Sequence, residues 1–216
     1  MINVLCFGDS NTYGYKPDGS GRFDENTRWT GLVRKSLSDN YNIYEEGLCG
    51  RTSIFDDERR AGRKGLDLIG VAVETHNPVD ILVVMLGTND CKTAYKADAV
   101  RIAEGVESVI EKAESFAQKK LKVLLVSPIH LGLNVGEEGY DTEFDKKSEY
   151  VSRNLALEYK KVADRHGYEF LDASKVARPS TIDREHLDEN GHKALASAIQ
   201  EKILVLSQKC IEYIAS

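Results

Sequence analysis

Val79-Asp-Ile-Leu-Val-Val-Met-Leu86 is apolar at all but one position. A run of this length without polar alternation suits a strand covered on both faces, as strands of parallel sheets are. Ile2–Phe7 and Lys122–Ser127 read the same way, Tyr41–Glu46 as a further strand and Tyr168–Leu171 as a short one. Between them lie stretches of helical period. One runs from about Trp29 to Ser38, with Trp29, Leu32, Val33 and Leu37 on one face. Others cover 65–75, 97–119 and 143–166, and the last is capped by Asp188 and runs to about Ile214. This β-α alternation predicts a parallel sheet with helices on both faces, in a single domain over 1–216.

Composition narrows the partners. The net charge is -6, with no basic stripe to release counterions from nucleic acid or to hold an anionic membrane. No stretch approaches the ~20 apolar residues of a membrane helix. Met1 leads straight into a strand-like run with no basic leader, and Cys6, Cys49, Cys91 and Cys210 form no C-x-x-C pair. The expectation is a cytoplasmic protein with reduced thiols.

Chemistry-bearing residues collect where strands end. The first strand stops at Gly8-Asp9-Ser10, the second at Gly47-Leu-Cys-Gly50 and the third at Gly87-Thr-Asn89-Asp90. In an open parallel sheet these ends share one edge, where ligands bind. Near the C-terminus stands Asp183-Arg-Glu-His186, a spacing that makes neighbours in a helical turn. Together they supply a nucleophile in Ser10, a base in His186 and an orienter in Asp183. Backbone N–H groups of Ser10 and Gly50 and the Asn89 amide are candidates for an oxyanion hole. Each block is common as a plain turn; the weight lies in the combination. Asp9 and Asp90 read as turn braces, and Arg51 as a salt-bridge pin for the second loop.

The four blocks resemble those of the SGNH hydrolases, also called the GDSL esterase/lipase family, over about residues 3–200. The phrases Cys6-Phe-Gly-Asp-Ser10, Arg28-Trp-Thr-Gly31, Glu45-Glu-Gly-Leu48, Arg51-Thr52 and Met85-Leu-Gly-Thr-Asn-Asp90 are similar to its arylesterase/acyltransferase branch. The resemblance implies a flavodoxin-like three-layer α/β/α fold with five parallel strands. It also implies a Ser-His-Asp acyl hydrolase that needs no metal or other cofactor. Thr12 excludes the G-x-S-x-G elbow of α/β-hydrolases. Asn11 stands where the family usually has Leu, and the second block lacks the Asn of many relatives.

The rim of the site is expected from the glycine-rich loops 13–28 and 130–142, with Trp29 and His130 as rim candidates. Their polar character favours a small ester, acetyl above all, of an aryl, alkyl or sugar alcohol. Acyl transfer to an alcohol and carbohydrate binding without catalysis are the alternatives. A metal hydrolase using His186 and His192 is a further one, disfavoured because six residues separate them. The long last helix is accounted for equally by packing in its own domain and by contact in a homo-oligomer.

Overall fold

The computed structural model describes residues 1–37 and 39–214. Ser38 and the side chain of Cys210 lie outside the described residues. Five strands, β1 (Ile2–Gly8), β2 (Tyr41–Gly47), β3 (Ile81–Met85), β4 (Lys122–Ser127) and β5 (Glu169–Asp172), form one sheet in the order β2-β1-β3-β4-β5. Every pairing is parallel. This is the flavodoxin-like order, with the switch point between β1 and β3.

Successive side chains of a strand face opposite ways, so the continuous apolar runs feed two cores. Leu5, Phe7, Leu82, Val84, Val123 and Leu125 pack beneath α3 (Gly65–His76), α4 (Ala99–Phe116) and α5 (Lys146–His166). Val4, Cys6, Ile81, Val83, Leu124 and Val126 face α2 (Trp29–Ser36) and α6 (Glu189–Ile214). Three layers result, with the sheet in the middle.

Helix ends follow local chemistry. The Asp98 carboxylate accepts the Arg101 N–H at the start of α4. Asp145 and Ser148 form a capping box on α5, which ends in left-handed Gly167. Asp188 accepts the Gly191 N–H, as expected of a cap for α6. At α2 the cap position falls on Arg28, which makes no side-chain cap; Asp24 instead organises the preceding turn by accepting the Asn26 N–H. One short helix was not foreseen: α1 (Ser10–Tyr13) starts directly after β1, where only a strand end followed by a loop from residue 13 was read. Its last turn lies directly on Gly47 of β2, where any Cβ would run into the backbone of Thr12 and Tyr13.

Candidate active site

Gly8 of β1 lies in register with Gly47 of β2 and Met85 of β3, so their carboxyl ends form a continuous edge. Ser10 opens α1 on that edge and borders a cleft of about 750 Å³. The Asp183–His186 segment reaches the same cleft from the far end of the chain. It is a tight turn, not a helix. Arg184 takes a left-handed φ of 63°, and the Asp183 Oδ1 accepts the backbone N–H groups of Glu185 and His186 at 3.0 Å each.

The other Asp183 oxygen lies 2.6 Å from His186 Nδ1, and His186 Nε2 lies 2.8 Å from Ser10 Oγ. A carboxylate only accepts, so Nδ1 carries the proton and Nε2 is left to accept from the Ser10 hydroxyl. Burial pulls the His186 imidazole down, but the charge of Glu185 and the hydrogen bond and charge of Asp183 outweigh it, and the net shift is upward. The Tyr15 ring packs at a tilt on the imidazole, with centroids 4.8 Å apart.

Gly50 and Asn89 also border the cleft. Gly50 is left-handed at φ 80°, and a Cβ there would strike the Arg60 guanidinium. Among the described residues the N–H groups of Ser10 and Gly50 have no hydrogen-bond acceptor. Asn89 Nδ2 donates one proton to the Arg51 carbonyl at 3.1 Å, which fixes the amide and leaves its second proton free. Arg51 itself departs from expectation. Among the described residues it makes no salt bridge; its Nη1 donates to the carbonyls of Gly8 (2.9 Å) and Glu46, and its guanidinium lies 3.9 Å from the Phe7 ring centroid.

Asp90 is a brace, as expected: buried, it accepts from the N–H and hydroxyl of Ser53. Burial pushes its carboxyl up to about 6. Asp9 accepts the Asn11 N–H through Oδ1, while its buried Oδ2 has no partner among the described residues. Burial pushes it to about 7, against the pull of the Asn11 N–H and the nearby His186.

Two rim assignments need correction. Trp29 is fully buried in the core under α2, its indole N–H donating to the Asn11 carbonyl at 3.0 Å. His130 lies half-buried beyond β4 and does not border the cleft; its imidazole is pulled down by burial and by Arg153 and Arg178, against Asp172. The rim does draw on both glycine-rich loops, through Tyr15, Pro17, Asp18 and Gly19 and through residues 139–142. It also takes Arg59, Arg60 and Lys92, which no motif marks out. Lys92 is buried and paired with Glu143 at 2.5 Å. His192 does not join His186. It is buried, accepts the Trp29 N–H through Nδ1 at 3.3 Å, and lies edge-on to Phe23.

Asn11 and Glu185 are the residues that sequence reasoning missed. Asn11 Oδ1 accepts the Leu187 N–H at 2.9 Å and its Nδ2 reaches the Glu185 carbonyl at 3.5 Å, so it ties the turn that carries His186 to the helix that carries Ser10. Glu185 is buried on the cleft wall with Oε1 3.8 Å from His186 Nε2. Burial raises its carboxyl, partly offset by His186 and Lys92.

A hydroxyl, an imidazole and a carboxylate in series beside unengaged N–H donors, on a parallel α/β sheet, define the serine acyl-hydrolase class. The chain belongs to the GDSL-like lipase/acylhydrolase family, whose model it matches over residues 6–194, and is a carboxylic ester hydrolase. Among solved structures it is similar to the native aryl esterase of M. smegmatis, at 29% identity and a TM-score of 0.88, covering 95% of this chain and 100% of that one. A carbohydrate acetylesterase family member from Sinorhizobium meliloti is 30% identical, with a TM-score of 0.88 and 95% and 99% coverage. Est24, a carbohydrate acetylesterase from the same organism, is 32% identical, with a TM-score of 0.86 and 95% and 100% coverage. No curated protein matches the chain. No helix among the described residues is long and apolar enough to cross a membrane.

Proposed function

We propose that the protein hydrolyses small esters, acetyl esters above all, of aryl, alkyl or sugar alcohols through an acyl-enzyme on Ser10. The observation that carries this is the unbroken series from Asp183 through His186 to Ser10, with contacts of 2.6 and 2.8 Å. Ser10 Oγ attacks the ester carbonyl as Nε2 takes its proton, and Asp183 stabilises the resulting imidazolium. The N–H groups of Ser10 and Gly50 and the free Asn89 amide proton receive the developing oxyanion. When the tetrahedral intermediate collapses, Nε2 returns the proton to the departing alcohol. A water molecule then gives a proton to Nε2 and attacks the acyl carbonyl; as this second tetrahedral intermediate collapses, the bond to Oγ breaks, Nε2 returns the proton to Ser10 Oγ and the acid leaves.

A small acyl group is supported by the cleft lining, where Asp18, Arg59, Arg60, Lys92 and Glu143 leave little apolar wall for a long chain. The names of the aryl esterase and carbohydrate acetylesterase relatives point the same way. The partner is a small-molecule ester. Release of nitrophenol from p-nitrophenyl acetate by the parent, lost by a factor of ~10³ or more in Ser10→Ala, is the expected result. Equal rates in the two proteins would contradict the reading, and rates rising with acyl chains from two to ten carbons would contradict the acetyl preference.

A further inference from the structure

Glu185 presents a physical problem that the ester chemistry does not use. Its side chain is 9% exposed and lines the cleft, and among the described residues its carboxylate accepts no hydrogen bond. A ligand that fills the cleft covers this carboxylate, and a covered carboxylate left without a donor is costly. The contact with His186 at 3.8 Å is too long for a hydrogen bond, and Nε2 is already engaged by Ser10 at 2.8 Å. Both the carboxylate and Nε2 border the same cleft.

The reaction says what stands there. His186 Nε2 protonates the departing alcohol, so the ester oxygen comes within hydrogen-bond distance of Nε2, about 2.8 Å. Glu185 Oε1 is then the acceptor next to the leaving oxygen. Two polar sites 3.8 Å apart suit two oxygens on adjacent carbons. One oxygen receives the proton from Nε2, and the other donates its hydroxyl proton to Oε1.

We infer that Glu185 recognises a hydroxyl on the carbon next to the ester-bearing carbon, so that the favoured substrates are monoesters of vicinal diols, as in polyols and sugars. This rests on the serine-esterase reading above and narrows its alcohol half. An alcohol without that hydroxyl leaves the buried carboxylate unpaired in the complex, and sites built to bind a hydroxyl reject such analogues strongly.

The test uses a matched pair, 2-hydroxyethyl acetate and ethyl acetate, with parent, Glu185→Leu and Glu185→Gln. The expected result is a fall of about tenfold or more in the kcat/KM ratio of the hydroxy ester to the plain ester in Glu185→Leu. Glu185→Gln keeps an uncharged acceptor and loses less, which also covers a Leu variant that fails to fold. In the parent, moving the hydroxyl one carbon away, from 2-hydroxypropyl to 3-hydroxypropyl acetate, lowers kcat/KM toward that of propyl acetate. Equal losses on both esters, with an unchanged ratio, would overturn the hydroxyl contact while leaving the esterase standing. No hydrolysis of any of these esters or of p-nitrophenyl acetate by the parent would overturn both.

Discussion

His186 is held between opposing influences, and their sum is measurable. Burial favours the neutral ring, while Glu185 and Asp183 favour the cation and prevail. A general base works only when neutral, so kcat/KM should rise with pH through a value above the ordinary histidine pKa of about 6.5. Glu185→Gln removes one of the two carboxylates and should move this limb to lower pH. A limb at or below the ordinary value would contradict the picture. Asp9 makes a separate, thermodynamic prediction. Its folded pKa of about 7 exceeds the unfolded value, so the folded state holds more protons and stability falls as pH rises from about 4 to about 7. Asp9→Asn should therefore be more stable than the parent at pH 8, by ~1–4 kcal/mol, with the gain vanishing toward pH 4. Urea unfolding at the two pH values measures it.

At the scale of elements, two attachments position the cleft. The first joins α1 to the turn before α6 through Asn11. Asn11→Leu leaves the buried Leu187 N–H without its acceptor and loosens the hold on His186. A fall of about tenfold or more in kcat, with KM little changed, is expected for p-nitrophenyl acetate. The second is Glu45 on β2. It meets Arg28 at 2.6 Å, Arg34 at 2.6 Å, Arg22 at 3.0 Å and the Thr30 hydroxyl at 2.7 Å, joining the edge strand to α2 and to the loop that feeds the rim. Burial resists its charge, but Arg28, Thr30 and Arg34 prevail and hold its carboxyl down at about 2. Glu45→Ala strands these cations and should cost ~3–5 kcal/mol in unfolding free energy. A loss below about 1 kcal/mol would show that the arginines are simply re-solvated.

The elements differ in how far they could be read from sequence. The central strands announce themselves because Val83 and Val84, buried on opposite faces, both must be apolar. Trp29 shows the limit of a mixed reading: its helical period already placed it on the inner face, and the core claims it. Residues 50–62 are opaque for another reason: a charge-rich stretch does not show which charge turns inward, and only the fold reveals that Arg60 stands against Gly50. Asn11 and Glu185 were hidden because their partners lie across the fold or, for Glu185, in the substrate.

Taken whole, the molecule is a parallel sheet that gathers residues from positions 10, 50, 89 and 183–186 onto one edge. The four blocks were legible together because each falls at a strand end or in the turn before the last helix. The cleft's charged walls came from the intervening loops, whose sequences carry no periodic signal. The proposed reaction requires Ser10 to be the activated nucleophile on this edge. Intact-mass and peptide mapping after treatment with a fluorophosphonate tests it most directly. One adduct per chain is expected, on Ser10, with activity toward p-nitrophenyl acetate lost in proportion and no adduct in Ser10→Ala. An unlabelled Ser10, or full activity in the fully labelled enzyme, would contradict it.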